Sequence, residues 1–139
     1  MGGFVKVNHE VHEGHEMEFD QLSNRVIGCA LEVHRALGPG LLESTYEQCL
    51  AQELSLSDIS FKLQLPLPVK YKGIKLDCGY RIDLLVNDEL IVELKSVDQI
   101  MGIHQAQLLT YMKLSGVKVG LLINFNVEIL KTGIKHFVL

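Results

Sequence analysis

The sequence has little cysteine, and its cysteines are not arranged as a metal or disulfide site. Cys29, Cys49 and Cys78 are widely separated, and no two of them form a CxxC pair. This odd, scattered set argues against a disulfide framework and against a zinc or iron–sulfur site built on thiolates. We expect reduced, mostly buried thiols in a cytoplasmic protein.

Long apolar runs are also missing. No stretch approaches the roughly 20 apolar residues of a membrane-spanning helix, so no membrane partner is expected. A basic segment followed by an apolar one, typical of a secretory signal, is not found at the N-terminus. There are no internal repeats, low-complexity tracts or linkers, and the 139 residues are 47% hydrophobic. These features predict one domain with its own core.

Charge is distributed unevenly along the chain. Residues 1–58 carry three basic and ten acidic side chains, whereas residues 59–139 carry ten basic and seven acidic ones. The balance therefore changes from −7 to +3 along the chain. Three excess positive charges are too few to establish a phosphate-binding surface, so charge neither supports nor excludes a nucleic-acid partner.

The first 19 residues are polar and irregular, with His9, His12 and His15 placed among glutamates. A helix there would present the three histidines on one side. Because chain termini are usually poorly ordered, we instead assign residues 1–19 to a flexible N-terminal arm. Residues 20–139 then form the single domain.

Apolar periodicity predicts the element order α-α-β-β-β-α-β-β, a mixed α/β sheet flanked by helices. The predicted helices cover 20–37, 42–54 and 98–114, and the predicted strands cover 61–71 with a continuation over 74–78, then 80–86, 90–95, 117–125 and 134–138. In the first strand, Phe61, Leu63, Leu65 and Leu67 alternate with polar residues and prolines, which predicts one apolar face. The prolines confine this strand to a sheet edge or a break.

Two acids and a lysine stand out in the strands over 80–86 and 90–95, which are otherwise almost entirely apolar. Burying charge there is costly unless the charges are paired or bind a metal. Glu93 and Lys95 share one strand face, because side chains two residues apart point the same way. Asp83 pairs with Glu93 only if the loop between the strands is odd in length and centred on Asp88.

Asp83 and Glu93, with one backbone carbonyl, make an oxygen-rich set suited to Mg²⁺ or Mn²⁺. Such a metal lowers the pKa of bound water and neutralises charge that develops on a phosphate. Lys95 supplies a positive charge beside the attacking water. The alternative is a buried ion pair of Lys95 with Asp83 or Glu93.

Two predicted helices add polar residues to this set. Glu43 follows the glycine bend at Gly40, and its simpler role is to stabilise the helix dipole in the first turn. Gln107 and Tyr111 lie four residues apart on one helix face. Their simpler arrangement is a core-facing Tyr111 with Gln107 at the surface.

These features in this order resemble the GxxExxY family of the PD-(D/E)XK nuclease superfamily. The residues that carry the resemblance are Gly40, Glu43, Tyr46, Asp83, Glu93-Leu94-Lys95, Gln107 and Tyr111. The likeness covers residues 20–139, and the spacing of Gln107 and Tyr111 is similar to that in RecB-type exonucleases. Ile82 stands where the superfamily's name has a proline, but that proline carries no chemistry. Because cluster-binding cysteines of some relatives are missing, we expect no iron–sulfur cluster.

The resemblance implies a restriction-endonuclease-like fold and a metal-dependent nuclease with the following roles. Asp83, Glu93 and the Leu94 carbonyl bind Mg²⁺ or Mn²⁺, Glu43 reaches the metal directly or through water, Lys95 is the catalytic lysine, and Gln107 and Tyr111 position Lys95 or a phosphate. Arg81 contacts a phosphate, and His104 touches nucleic acid or metal unless its role is structural.

The implied partner is nucleic acid, with DNA favoured and RNA left open, and a homodimer is possible for so small a domain. The competing hypothesis is a catalytically silent nucleic-acid-binding or protein-interaction module on the same fold. The combination of Glu43, Asp83, Glu93 and Lys95 favours the enzyme, since a silent module has no chemical need for all four.

Overall fold

The computed structural model describes residues 6–8, as backbone only, and residues 19–139. Its helices are α1 (Gln21–Leu37), α2 (Glu43–Leu56) and α3 (Gly102–Ser115), and its strands are β1 (Lys6–Asn8), β2 (Phe61–Pro66), β3 (Val69–Tyr71), β4 (Ile74–Leu76), β5 (Arg81–Val86), β6 (Leu90–Lys95), β7 (Val119–Asn124) and β8 (Ile134–Val138). A short 3₁₀ helix, Leu130–Gly133, precedes β8. None of the helices described is long and apolar enough to cross a membrane.

The main sheet has the order β1-β8-β7-β6-β5-β2, and β3 and β4 form a separate two-stranded sheet. Among the strands that the structure describes, β6 and β7 form the one parallel pair in this sheet, and the other neighbours are antiparallel. A parallel pair needs a crossover, and α3 supplies it. The predicted mixed α/β sheet is therefore confirmed, with β6 and β7 at its centre.

The helices lie on both faces of the sheet. Apolar residues of α1 and α2 pack in one core with Leu84, Val92 and Leu121, whereas α3 packs in a second core with Ile91 and Leu122. The side chains of β6 alternate between these two cores, as the period of a strand requires. Both faces of the central strands are covered, which explains their almost continuous apolar sequence.

The helix boundaries agree with the sequence except at the start of α3. Asp20 caps α1 by accepting a hydrogen bond from the Ser23 N–H (2.9 Å), and α1 ends before Gly38 as predicted. The helix α3 begins at Gly102, four residues later than expected. At that end, the N–H of Met101 donates to His104 Nδ1 (2.9 Å), which stabilises the delayed start.

The prediction of one apolar face for residues 61–67 is wrong. Leu63 packs with the core under α1 and α2, but Leu65 and Leu67 pack with the core under α3. Between them, Gln64 has a φ of 50°, in the left-handed region that non-glycine residues rarely adopt. The strand therefore turns over at Gln64, and its apolar residues change face.

The predicted burial of the cysteines needs correction, and the predicted N-terminal arm is described only in part. Cys29 is buried, but Cys78 is exposed, so the cysteines are not all core residues. Lys6–Asn8 pair with β8. Phe19, the last residue of the predicted arm, stacks on His136 at a ring centroid distance of 4.2 Å. The other residues of the arm, including His9, His12 and His15, lie outside the described residues, so their flexibility stays a prediction.

Tyr46 holds the bend between α1 and α2 in place. Its ring is fully buried and stacks on Phe125 at a centroid distance of 4.4 Å. Its hydroxyl donates to the Gly38 carbonyl (2.6 Å) and accepts from the Leu41 N–H (3.1 Å). The Leu41 carbonyl in turn accepts from Ser96 Oγ (2.6 Å), which ties the bend to the end of β6.

Replacing Tyr46→Phe removes both hydrogen bonds of this hydroxyl while keeping the stacked ring. Since two backbone groups then lose their partner, we expect the free energy of unfolding to fall by about 1–3 kcal/mol. Urea unfolding measures this change. Tyr71→Phe, at an exposed tyrosine, is the matched control and should leave the midpoint unchanged. Equal midpoints for the two variants would contradict the role of Tyr46.

Candidate active site

The candidate site lies where β5 and β6 separate. The two strands pair as Val86–Leu90, Leu85–Ile91 and Leu84–Val92. This register confirms the expected odd loop centred on Asp88, and it places Asp83 opposite Glu93. Regular pairing, however, ends at Leu84–Val92. We call Asp83 and Glu93, at this point of divergence, the carboxylate fork.

Side chain to backbone hydrogen bonds replace the strand pairing at the carboxylate fork. The Asp83 N–H donates to Glu93 Oε1 (3.0 Å), and the Leu94 N–H donates to Asp83 Oδ2 (2.9 Å). Each carboxylate thus accepts from the backbone of the opposite strand. The structure therefore brings Asp83 and Glu93 together, as the sequence predicted.

Glu93 is almost completely buried, with 5% of its surface exposed. Burial raises its pKa to about 8, and the neighbouring Asp83 carboxylate contributes in the same direction. The Asp83 N–H and the positive charge of Lys95 oppose this change without cancelling it. A buried carboxylate with a raised pKa beside a second carboxylate favours the binding of either a proton or a cation.

The α2 helix supplies a carboxylate that the sequence analysis missed. Gln64 Nε2 donates both to Glu47 Oε2 (2.8 Å) and to Asp83 Oδ1 (3.3 Å), so Gln64 links α2 to the carboxylate fork. Burial raises the pKa of Glu47, and the charges of Asp83 and Glu43 raise it further. Glu43 is exposed at the first position of α2. Of these two glutamates, Glu47 is the one that hydrogen bonds link to the carboxylate fork.

Glu47 could have been found from the sequence, because residues four apart share a helix face and Glu43 was already a candidate. Gln64 could not. Its alternation with leucines predicts a solvent-facing side chain, and no local signal indicates its left-handed backbone. An outlier of this kind costs about 1–3 kcal/mol and is typical of functional sites.

Lys95 ends β6 on the same face as Glu93, the face that α3 covers. Among the residues that the structure describes, no carboxylate lies within 4.0 Å of its ammonium group. The ion pair proposed as the alternative to a metal site is therefore not formed there. Lys95 lowers the pKa of Glu93 by its charge, so it lies within electrostatic reach of the carboxylate fork.

Gln107 and Tyr111 form a hydrogen-bonded pair on α3, with Gln107 Nε2 donating to Tyr111 Oη (3.0 Å). Burial raises the pKa of Tyr111, and the charges of Glu93 and Asp83 add to that effect. Tyr111 is thus near the carboxylate fork and keeps its proton at neutral pH. Within the described part of the chain, neither residue is hydrogen-bonded to Lys95.

The two predicted nucleic-acid contacts differ in their surroundings. Arg81 is exposed at the start of β5, two residues before Asp83. His104 Nδ1 accepts a hydrogen bond from the Met101 N–H, so His104 has the structural role that the sequence left open for it. Among the hydrogen bonds of residues 19–139, none joins His104 to the carboxylate fork.

The oxygen donors at the carboxylate fork suit a hard divalent cation. The Lys95 carbonyl accepts a hydrogen bond from the Phe125 N–H on the β7 side of β6 (2.9 Å). Because the carbonyls of successive strand residues point to opposite sides, the Leu94 carbonyl points to the β5 side. Asp83, Glu93 and the Leu94 carbonyl therefore border one space. No group of three His, Cys, Asp or Glu side chains with metal-binding geometry occurs in the described ranges. A cation here would rest on two carboxylates and backbone oxygen.

The fold and this site define a restriction-endonuclease-like α/β domain. A family model described as the PD-(D/E)XK nuclease superfamily matches residues 20–137. The chain therefore belongs to the PD-(D/E)XK nuclease superfamily. Searches of curated proteins and of solved structures gave no significant match.

The raised pKa of Glu93 predicts how stability changes with pH in the metal-free protein. Between the ordinary value of 4.5 and about 8, the folded chain holds a proton that the unfolded chain has released. Stability should therefore fall as pH rises through this window, by up to about 1.4 kcal/mol per pH unit. Glu93→Gln, which cannot titrate, should flatten this slope.

Urea unfolding in a chelator at several pH values tests this expectation. Glu128→Gln is the matched control, because Glu128 is an exposed glutamate outside the site. It should keep the wild-type slope. A Glu93→Gln slope equal to that of wild type would show that Glu93 titrates normally.

Proposed function

We propose that this chain is a nuclease that hydrolyses phosphodiester bonds with the help of a divalent cation, Mg²⁺ or Mn²⁺. The observation that carries the proposal is the carboxylate fork, in which the buried Glu93 meets the half-buried Asp83 near Lys95. Membership of the superfamily supports it. DNA as the polymer, the GxxExxY subfamily, a homodimer and a cytoplasmic location are further proposals, which rest on the sequence.

The residues that would hold the cation are Asp83, Glu93 and the Leu94 carbonyl. Bound there, it would supply Lewis acidity toward a phosphate and lower the pKa of a water. Glu47 acts from α2 through Gln64, which fixes the orientation of the Asp83 carboxylate. Glu43 adds negative charge one turn earlier on the same helix. These oxygens are hard donors, which agrees with Mg²⁺ or Mn²⁺.

Lys95 and Tyr111 act on the substrate and on water. The Lys95 ammonium has no carboxylate partner among the described residues, so it is available to orient an attacking water or to neutralise a phosphate oxygen. Tyr111 Oη accepts from Gln107 and keeps its own proton, which it can donate to a phosphate oxygen. Gln107 is therefore a positioning residue for Tyr111.

The activity test uses linear, circular and single-stranded DNA, and RNA, with Mg²⁺ or Mn²⁺. Asp83→Asn, Glu93→Gln and Lys95→Met should each lower the cleavage rate about a hundredfold or more, because each removes a cation ligand or the positive charge at the site. Glu128→Gln and Lys118→Met are matched controls at exposed positions and should cleave normally. Equal rates in all variants, or no cleavage by the wild type, would overturn the proposal.

Cation binding should be visible without any substrate. Saturating Mn²⁺ or Mg²⁺ should raise the melting temperature of the wild type by about 5 °C, since a ligand that binds only the folded state stabilises it. Asp83→Asn should abolish this shift, and Glu128→Gln should retain it. Differential scanning fluorimetry with and without the cation measures the shift. A shift that survives Asp83→Asn would place the cation elsewhere.

A further inference from the structure

The hairpin of β3 and β4 stands apart from both cores of the domain. It forms its own two-stranded sheet, and its turn, Lys72-Gly73, has positive φ at both residues (45° and 84°). This is the conformation of a tight two-residue hairpin turn. Every residue from 70 to 81 is exposed. The segment therefore presents its side chains outward and contributes little to either core.

One face of this hairpin is apolar although it is exposed. Tyr71 pairs with Ile74 and Val69 with Leu76, so these four side chains share a face. Tyr71, Ile74 and Leu76 are 58%, 55% and 41% exposed. Lys72 Nζ lies 5.4 Å from the centre of the Tyr71 ring. The cation lies over one face of the ring, and an exposed ring of this kind can stack on a nucleobase through its other face.

The other face is basic. Lys70 lies directly opposite Lys75, a like-charged cross-strand pair that destabilises a hairpin. Residues 69–81 contain four basic side chains and one acid, Asp77, in a chain whose net charge is −4. In the part of the chain that the structure describes, neither lysine has a carboxylate within 4.0 Å. A bound anion would relieve their repulsion.

The base of the hairpin adjoins the candidate site. The Tyr80 carbonyl accepts from the Leu67 N–H (2.8 Å), and the Tyr80 ring lies 6.2 Å from the Tyr111 ring. Arg81 follows Tyr80 directly in the sequence and lies two residues before Asp83. A polymer lying along the hairpin would therefore pass from its exposed tyrosine and lysines to the carboxylate fork.

We propose that β3 and β4, with Tyr80 and Arg81, bind an unpaired strand of the substrate nucleic acid. This proposal rests on the nuclease function proposed above. Bases stack on Tyr71 and Tyr80 on the apolar side, and the phosphates follow the edge of this narrow two-stranded sheet, where the long side chains of Lys70 and Lys75 on the other face, and Arg81, can reach them. An unpaired strand fits because bases within a duplex are already stacked on each other and leave no face for a tyrosine. A second copy of the chain fits less well, since it would bring two positively charged hairpins together.

The test measures binding by fluorescence anisotropy, with the full chain carrying Lys95→Met to prevent cleavage, in Mg²⁺. The probes are a labelled single-stranded oligonucleotide and the matching duplex. The single strand should bind at least tenfold more tightly. Tyr71→Ala should weaken its binding about tenfold, because a stacked base is lost.

Charge reversal at the basic face is the second variant. Lys70→Glu with Lys75→Glu should weaken single-strand binding tenfold or more and lower the slope of log affinity against log salt by about 2. Lys113→Glu with Lys118→Glu changes the net charge equally at exposed positions outside the hairpin and should have no such effect. The exposed thiol of Cys78 gives an independent readout, because a bound strand should slow its alkylation.

The outcomes separate this proposal from the nuclease function. Hairpin-dependent binding by a wild-type chain that cleaves nothing would support the hairpin and overturn the nuclease. Single-strand binding that is unchanged in both hairpin variants, in a chain whose wild type cleaves, would overturn the hairpin proposal alone. Preference for the duplex with no effect of Tyr71→Ala would also overturn it. A dimer that forms with rising protein concentration and that Tyr71→Ala dissociates, while single-strand binding is unaffected, would overturn it as well.

Discussion

The structure depends on one exchange of hydrogen bonds, in which Asp83 and Glu93 each accept from the backbone of the other's strand. A regular ladder would have paired these two residues through their peptide groups alone. The exchange instead directs both carboxylates into the space between β5 and β6 and separates the strands. The cost of burying Glu93 is offset only in part by these bonds, which is why the pKa of Glu93 stays raised.

Much of the fold followed from local pattern. Helical periodicity located α1, α2 and α3, and the apolar runs located the central strands, because burial on both faces leaves a strong signal in the sequence. The position of Asp83 relative to Glu93 was predictable too. Side chains in a strand alternate with a period of two, so the length of one loop decides whether the residues can meet.

The remaining part of the site depends on contacts that no local pattern encodes. Alternation over 61–67 is the same whether the strand keeps its face or turns over at Gln64, so the switch between the two cores was not predictable. The link from Glu47 through Gln64 to Asp83 depends on how α2 packs against the edge of the sheet. The exposure of Cys78 likewise follows from a hairpin that leaves the main sheet.

The shape of β2 has a consequence for association between chains. β2 lies at the edge of the main sheet, where unpaired peptide groups can template a strand of another molecule. The left-handed Gln64 interrupts that row of groups, Pro66 removes a donor from it, and Lys62 adds a charge. The turn that brings Gln64 to Asp83 therefore also protects this edge from amyloid-like strand addition.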